Sequence, residues 1–304
     1  MEFGTHFNSK LLLFGEYGLM FDAMALSVPF RGFSGFLDFG QDHRHRESNA
    51  EIRKFYEHLK AGDSARRLHF QFDLDHLKTD LQRGLYFNSS VPQQYGVGSS
   101  GALVAALFSR YAATSVEEPA LVPELLKSDF ALLESYFHGR SSGLDPLISF
   151  LNRPLLLGSD KKVEAVDFEL NRSGLAVALI DTHTTGATAP LVQHFIGLFN
   201  SGEFEPIFRS GFIPANNGCI ESLLKGNRAE FFGYLEQLVR FQLQYFRRMI
   251  AADFHVVISD ALNEKVFVKL LGSGGGGFLL VFAESGDLMK KWAEKRGLGL
   301  LKVV

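Results

Sequence analysis

The pattern of apolar and polar positions predicts a chain that mixes strands with helices. An apolar burst that ends in glycine, over residues 10–18, predicts a buried strand followed by a tight turn. Residues 27–39 and residues 67–74 alternate in character, as strands with one buried face do. A continuous apolar run over residues 176–182 predicts a further buried strand.

Longer stretches with helical spacing lie between these strands. The spacing predicts helices over residues 51–59, from residue 99 to about residue 113, over residues 121–137 and over residues 228–250. The polar segment 41–47 contains two histidines, but no further ligand stands at metal-binding spacing, so we expect a solvated loop there.

The polar stretch 152–175, where Asn, Gly, Ser and Lys accumulate, predicts a boundary between two domains. We place the domains at residues 1–165 and 166–304. A chain of 304 residues is long enough for two domains of ordinary size, each with its own core.

A glycine-rich loop lies between two apolar segments near the end of the chain. It contains five glycines, at position 272 and at positions 274–277, where an ordinary hairpin needs one or two. So many glycines cost backbone entropy on folding. We therefore expect the close approach of a ligand or of another backbone segment.

Composition and charge narrow the class of protein. Hydrophobic residues make up 46% and charged residues 21%, a globular balance, and we expect the 30 phenylalanines to fill the core. A formal net charge of -3 gives no electrostatic footprint for nucleic acid. The only cysteine is Cys219, which excludes an internal disulfide and suits a reducing cytoplasm. No signal-peptide pattern or run of roughly 20 apolar residues is present, so we expect a soluble protein without a membrane partner.

The loop at residues 94–102 contains a misleading pattern. Gly96, Gly98 and Gly101 match the dinucleotide fingerprint G-x-G-x-x-G, which is specific only when a strand directly precedes it. Here residues 92–95 are turn-like, which disfavours a dehydrogenase. No Lys-Ser or Lys-Thr pair ends the glycines, so the loop is not of the Walker A type either.

Two serines at the expected helix start give this loop a different chemistry. Backbone N–H groups at a helix N-terminus bind phosphate oxygens, and a hydroxyl of Ser99 or Ser100 can ligate Mg²⁺. Simple N-capping is the alternative, although it needs only one serine.

Two carboxylates and one lysine form the other candidate chemistry. Glu134 lies near the end of a predicted helix, and glycines flanking two serines lead to Asp145. An Asp before Pro is ordinarily a turn former, whereas Asp145 paired with Glu134 suits a metal and base arrangement. For Lys10 taken alone, a solvated lysine at a strand edge is the favoured interpretation.

Taken together, these motifs resemble the kinases of the galactokinase, homoserine kinase, mevalonate kinase and phosphomevalonate kinase superfamily (the GHMP kinases), and most of all its mevalonate kinases. Residues 10–17 match the first family motif, residues 96–102 the second and residues 269–277 the third. Glu134 and residues 138–145 match the signature around the catalytic aspartate. The motifs stand in family order and cover nearly the whole chain.

The resemblance implies an α+β fold of two domains, with an N-terminal α/β domain that contains a left-handed β-α-β unit and a C-terminal ferredoxin-like domain. It implies ATP and Mg²⁺ as cofactors and a small-molecule alcohol as substrate. The implied reaction transfers the γ-phosphoryl group of ATP to the hydroxyl of mevalonate in isoprenoid precursor synthesis. A homodimer is left open.

The resemblance also implies roles for individual residues. Asp145 would face the substrate hydroxyl as base or charge stabiliser, Lys10 would lie beside it, and Thr188 would orient it. Ser100 and Glu134 would hold Mg²⁺. The implied nucleotide contacts are Gly96, Val97, Gly98, Ser99, Ser100, Gly101, Ala102, Gly274, Gly275 and Gly276. The implied acceptor contacts are Glu16, Tyr17, His138 and Gly139.

Departures from the family pattern keep other functions open. Tyr17 stands where mevalonate kinases commonly have histidine, and a tyrosine there is also seen in phosphomevalonate kinases. Ser141 replaces a usual proline, and Pro146 stands where asparagine is common. Phosphomevalonate kinase is therefore the second reading and a sugar kinase the third. Outside enzymes the rival is a catalytically silent nucleotide-binding sensor, which would have no need of all the catalytic residue types.

Overall fold

The computed structural model describes residues 4–62, 67–112, 123–139, 141–186 and 188–304, without the side chains of Arg44 and His138. The strands are β1 (Phe7–Phe14), β2 (Ala25–Phe39), β3 (Leu85–Ser89), β4 (Leu155–Leu157), β5 (Val163–Ala165), β6 (Ala176–Asp181), β7 (Val266–Leu270), β8 (Phe278–Ala283) and β9 (Leu301–Lys302). The α-helices are α1 (His43–Ala61), α2 (Leu74–Gln82), α3 (Ser99–Tyr111), α4 (Pro123–His138), α5 (Leu144–Leu151), α6 (Thr188–Asn200), α7 (Phe204–Ile207), α8 (Ile213–Leu224), α9 (Arg228–Tyr245), α10 (Phe254–Asn263) and α11 (Gly286–Glu294). Short 3₁₀ helices lie at Gly18–Met20, Leu170–Arg172 and Arg247–Met249, and a π-helical turn at Phe208–Phe212.

The chain folds as two compact units. The first unit consists of Met1–Lys10, Pro29–Pro92 and Gly98–Arg153. The second consists of Leu11–Val28, Gln93–Val97 and Pro154–Val304. The boundary that the composition places near residue 165 stays a prediction. Within the described ranges, no helix combines the length and the apolar character needed to cross a membrane.

The first unit is built from a long strand with helices packed around α3. Strand β3 pairs antiparallel with the end of β2, and α1 packs on β3. Helix α3 is buried over most of its length, and it packs against α4 and α5. The ring of Phe108 on α3 lies 4.7 Å from that of Phe130 and 5.6 Å from those of Phe70 and Phe150, measured between centroids. This aromatic contact is the centre of the first unit's core.

The second unit contains a four-stranded antiparallel sheet in the order β7-β8-β6-β9. All residues of β7 and β8 are buried, in agreement with their continuous apolar sequence. Beside the sheet lies a cluster of phenylalanines in which Phe208 and Phe212 stack with ring centroids 4.7 Å apart. Phe195, Phe241 and Phe246 pack against them, so the phenylalanines fill the core as the composition predicts.

Most of the predicted elements are present. Strands β1, β2 and β6 confirm three of the four predicted strands, with residues 27–39 belonging to one continuous strand. Helices α3, α4 and α9 confirm three of the predicted helices, although α9 ends at Tyr245 and not at residue 250. The fourth, predicted over residues 51–59, is confirmed as part of α1. Residue 113 and residues 121–122, which the predictions include, lie outside the described residues.

The predicted loop at residues 41–47 is wrong from residue 43 onwards, because α1 begins there. The early turns of α1 are polar because they face solvent, and its apolar residues follow only in its second half. The His45 ring stacks on Tyr86, with centroids 3.9 Å apart and planes 10° from parallel. A helix that buries only part of its length does not show its full extent in the apolar pattern.

The strand predicted over residues 67–74 is also wrong. The segment contains an isolated bridge, and α2 begins at its last residue. The buried carboxylate of Asp129 accepts the N–H groups of His69 and Phe70 at 2.9 and 3.0 Å. A side chain thus replaces the neighbouring strand, so alternating burial occurs without a sheet.

Asp80 is a buried carboxylate that joins α2 to α3. Its Oδ2 accepts hydrogen bonds from Nη2 and Nε of Arg110, at 2.6 and 2.9 Å, and from the hydroxyl of Tyr111 at 3.0 Å. Burial and then the charge of Asp80 raise the pKa of Tyr111, which keeps its hydroxyl a donor. Two donor groups of Arg110 and the hydroxyl of Tyr111 therefore share a single carboxylate as their acceptor.

We predict that Asp80→Ala lowers the free energy of unfolding by about 3 kcal/mol, because it removes the buried carboxylate that accepts hydrogen bonds from Arg110 and Tyr111. Urea denaturation followed by circular dichroism measures this. Asp75→Ala, at an exposed position of the same helix, is the matched control and should cost less than about 1 kcal/mol. Equal losses in the two variants would contradict the role of Asp80.

Candidate active site

The loop before α3 ends at a helix N-terminus whose N-cap residue has no side chain. This residue is Gly98, with φ of 80°, and Ser99 is the first residue of the helix, as predicted. The first N–H groups of a helix have no partners within the helix and carry the positive end of its dipole. The terminus of α3 is therefore arranged to bind an anion.

Two glycines allow α3 to approach the neighbouring chain. A Cβ atom at Gly98 would lie 2.9 Å from Cγ of Lys10. A Cβ atom at Gly101 would lie 2.8 Å from the backbone carbon of Asp145. Real Cβ contacts are longer than this, so a larger residue at either position would push α3 away from Lys10 and Asp145.

Lys10 and Asp145 form an ion pair, with Nζ of the lysine 3.1 Å from Oδ2 of the aspartate. The lysine side chain is 6% exposed and the aspartate side chain 34% exposed, so the carboxylate is open to a ligand while the ammonium lies behind it. Asp145 stands in the first turn of α5, after Gly143 with φ of 74°. The alternative of a solvated Lys10 is therefore wrong.

Glu134 is a buried carboxylate held by two serine hydroxyls. Ser100 Oγ donates to its Oε1 at 3.0 Å, and Ser141 Oγ donates to its Oε2 in a short hydrogen bond. Burial first, and then the charge of Asp145, raise the pKa of Glu134 to about 7, although both serine hydrogen bonds lower it. A cation beside Glu134 would favour its charged form.

The Ser100 and Glu134 oxygens suit a magnesium ion. Mg²⁺ prefers oxygen ligands, and proteins ordinarily bind it through one or two carboxylates together with substrate phosphates. In the described part of the chain, no group of three or more His, Cys, Asp or Glu residues could hold a metal ion. A hydroxyl and a carboxylate beside an anion-binding helix end therefore fit a cation that phosphate also ligates.

Ser141 is a site residue that sequence reasoning missed. It was noted only as a departure from the family pattern, but its hydroxyl bonds to Glu134 and accepts the N–H of Gly143 at 3.0 Å. A serine two residues before a glycine with positive φ is typical of a serine turn, which was the available signal. Ser141 thus connects Glu134 to the turn that leads into α5.

In the second unit, Glu16 and Tyr17 form the turn after β1. Glu16 Oε1 makes an ion pair with Nζ of Lys269, and both side chains are fully buried. The Tyr17 hydroxyl donates to the backbone oxygen of Ser273 at 2.6 Å. Lys269 carried no predicted role, although a lysine inside an apolar strand was the signal for a buried charge.

The glycine-rich loop of the second unit packs against other backbone segments. The N–H of Gly275 donates to Met249 O at 2.5 Å and that of Gly277 to Thr184 O at 2.7 Å. A Cβ atom at Gly277 would lie 2.6 Å from Cα of Tyr95. The predicted close approach is confirmed, and the approaching partners are backbone. Contact of Gly274, Gly275 and Gly276 with nucleotide stays a prediction.

The remaining predicted residues divide between the two units. Thr188 begins α6 in the second unit, and its Oγ1 accepts a hydrogen bond of 3.0 Å from Ser273 Oγ. Val97 and Ala102 are buried, so they can offer a ligand little besides backbone. His138 ends α4 and Gly139 follows with φ of 72°, while the His138 side chain lies outside the description.

The predicted site residues form one group in each unit. In the first unit the structure brings together Lys10, Ser100, Glu134 and Asp145. In the second it brings Glu16, Tyr17 and Thr188 around the glycine-rich loop and the strand before it.

No protein-family model matches the chain, and no curated protein sequence matches it either. Several solved structures are similar. L. major mevalonate kinase in complex with R-mevalonate matches with a TM-score of 0.65 and 16% identity, over 98% of this chain and 94% of that one. Streptococcus pneumoniae phosphomevalonate kinase, in complex with phosphomevalonate and AMPPNP, gives 0.64 and 13%, over 98% of each chain. Lactococcus lactis galactokinase with galactose gives 0.65 and 12%, over 98% of this chain and 92% of that one.

These three proteins are kinases of the GHMP superfamily that act on different acceptors. The match extends over nearly the whole of each chain, so it includes both units and all the motifs. At this level of identity the likeness concerns the fold. The chain has the GHMP kinase fold, as its ordered motifs predict.

Proposed function

We propose that the chain is a kinase that transfers the γ-phosphoryl group of Mg-ATP to the hydroxyl of a small-molecule alcohol, and that this alcohol is mevalonate. The observation that carries the proposal is the Lys10–Asp145 ion pair beside the N-terminus of α3. The same helix end brings Ser100 onto Glu134. A carboxylate, an ammonium, an anion-binding helix end and a magnesium-type oxygen pair are the parts that phosphoryl transfer requires.

The phosphates are the part of the substrate that the α3 terminus would bind. Residues 96–102 would hold phosphate oxygens through backbone N–H groups, because Gly98 leaves the helix end open. Residues 274–276 would support the nucleotide from the glycine-rich loop. Ser100 and Glu134 would hold Mg²⁺, which neutralises charge on the phosphates as the transferred group moves.

Asp145 would act on the acceptor. Its partly exposed carboxylate is placed to accept a hydrogen bond, and then a proton, from a substrate hydroxyl. Lys10 fixes the carboxylate from its buried side and adds positive charge near the transferred group. Thr188 would orient this carboxylate, and Glu16, Tyr17, His138 and Gly139 would contact the acceptor.

Mevalonate is preferred because the chain matches the mevalonate kinase signature at Glu134 and at residues 138–145. Phosphomevalonate is the second candidate, favoured by the tyrosine at position 17. We further propose a cytoplasmic protein in the mevalonate pathway, with neither nucleic acid nor membrane as partner. These finer assignments rest on motif resemblance together with the fold.

Acceptor-dependent ADP release tests the proposal directly. We expect purified protein with Mg-ATP to release ADP with mevalonate, and to do so faster than with phosphomevalonate, galactose or homoserine. Faster turnover with phosphomevalonate would select the second candidate. ATP binding without release of ADP with any acceptor would favour the silent sensor, and binding of NADH in place of ATP would exclude a kinase.

We predict that Asp145→Asn lowers kcat by roughly 10²-fold or more, because the amide can neither accept the proton nor pair with Lys10. Steady-state kinetics measure the loss, and circular dichroism checks that the fold is unchanged. Asp167→Asn removes the same charge at an exposed position of the second unit and should leave kcat unchanged. An Asp145→Asn variant with full activity would refute the assignment.

We predict that Ser100→Ala raises the Mg²⁺ concentration needed for half-maximal activity by about 10-fold, since one oxygen of the ion's binding pair is lost. A magnesium titration at fixed ATP measures the shift. Ser109→Ala, at the other end of α3, is the matched control and should not change it. An unchanged magnesium requirement in Ser100→Ala would remove Ser100 from the proposed site.

A further inference from the structure

Two hydrogen bonds of the second unit meet at Ser273, one at its backbone oxygen and one at its side chain. The Tyr17 hydroxyl donates to Ser273 O at 2.6 Å, and Ser273 Oγ donates to Thr188 Oγ1 at 3.0 Å. The Tyr17 side chain is buried, stacked on Phe195 at 4.6 Å and edge-on to Phe246 at 5.3 Å. Packing therefore fixes the direction in which the Tyr17 hydroxyl points.

Ser273 lies where the backbone has little steric restraint of its own. Gly272 and Gly274, on either side, have φ values of 69° and 72°. Glycine adopts many conformations at small cost, so a peptide between two glycines needs an external contact to hold one orientation. The hydrogen bond from Tyr17 to the Ser273 carbonyl supplies such a contact.

A second attachment holds the Tyr17 turn to the same hairpin. Glu16, the neighbour of Tyr17, pairs with Lys269 on β7, the strand that leads into the glycine-rich loop. Both side chains are fully buried, and Lys269 Nζ also lies 5.4 Å from the centroid of the Phe14 ring. Buried ion pairs are demanding in geometry, so this pair fixes the register between turn and strand.

We propose that Tyr17 and Ser273 are positioning residues for Thr188. The Tyr17 hydroxyl sets the orientation of the Ser273 peptide, and the Ser273 hydroxyl then directs the hydroxyl of Thr188. This inference rests on the proposed function, in which Thr188 orients the catalytic carboxylate. Its consequence is that Ser273 affects the chemical step more than the binding of ATP.

The first experiment needs no ligand and does not depend on the proposed function. Tyr17→Phe keeps the ring and its packing but removes the donor to Ser273. We expect backbone amide hydrogen exchange at Gly275 and Gly277 to become about 10-fold faster in the free protein, because the loop that presents these amides loses a hydrogen bond. Unchanged exchange would overturn the role of Tyr17.

The second experiment is a double-mutant cycle on kcat with the acceptor that turns over. We expect Ser273→Ala to lower kcat about 10-fold with an unchanged KM for ATP, and to add little in a Thr188→Ala background. Thr188→Ser, which retains a hydroxyl, should keep most of the activity. Ser210→Ala removes an exposed hydroxyl elsewhere in the unit and should change nothing.

The outcomes distinguish failure of the positioning role from failure of the proposed kinase function. Independent, multiplicative effects of Ser273→Ala and Thr188→Ala, or no effect of Ser273→Ala, would overturn the positioning role even in an active kinase. If the wild-type protein turns over no acceptor, the proposed function fails and with it the catalytic meaning of Thr188. The exchange experiment still decides whether Tyr17 holds the Ser273 loop.

Discussion

The close approach of α3 to Lys10 and Asp145 is the constraint on which the first unit's site depends. Gly98 and Gly101 permit it, since a Cβ atom at either position would fall within 3 Å of one of these two residues. The approach places the open helix end, the ion pair and Glu134 in one small region. The cost appears at Glu134, whose pKa is raised by burial and by the charge of Asp145. A site that concentrates negative charge in this way is suited to a cation.

The second unit satisfies a similar constraint by different means. Hydrogen bonds to the backbone oxygens of Met249 and Thr184 hold its glycine-rich loop. The Tyr17 hydroxyl bonds to the same loop, and the neighbouring Glu16 pairs with Lys269 on β7. The Lys269–Glu16 pair need not add to stability, because desolvating two charges offsets most of their attraction. Its effect is geometric, since only one register of turn and strand satisfies both charges. The glycines give the backbone of the loop many accessible conformations, and the polar contacts to the loop and to β7 then restrict it.

Sequence reasoning predicted the fold class and the elements with strong periodicity, as well as the residues of the Lys10, Asp145, Ser100 and Glu134 group. The fold class and these elements are confirmed because periodic apolar patterns leave a local trace, whereas the roles of the four site residues stay predictions that rest on the resemblance. Sequence reasoning failed at residues 67–74, where Asp129, distant in sequence, takes the place of a neighbouring strand. It also gave no role to Lys269, because the partner of a buried charge is set by tertiary contacts that have no local signature.

Two of the three departures from the family pattern bear on whether the chain is a working enzyme. Tyr17 and Ser141 both differ from the residues common in mevalonate kinases, yet each side chain makes specific hydrogen bonds, to the Ser273 carbonyl and to Glu134. A protein that had lost its chemistry would be under no constraint to keep Glu134 buried and satisfied beside Asp145, because a buried carboxylate is costly to retain. The departures have partners, and the costly carboxylate remains. This combination supports the proposed kinase over the silent sensor.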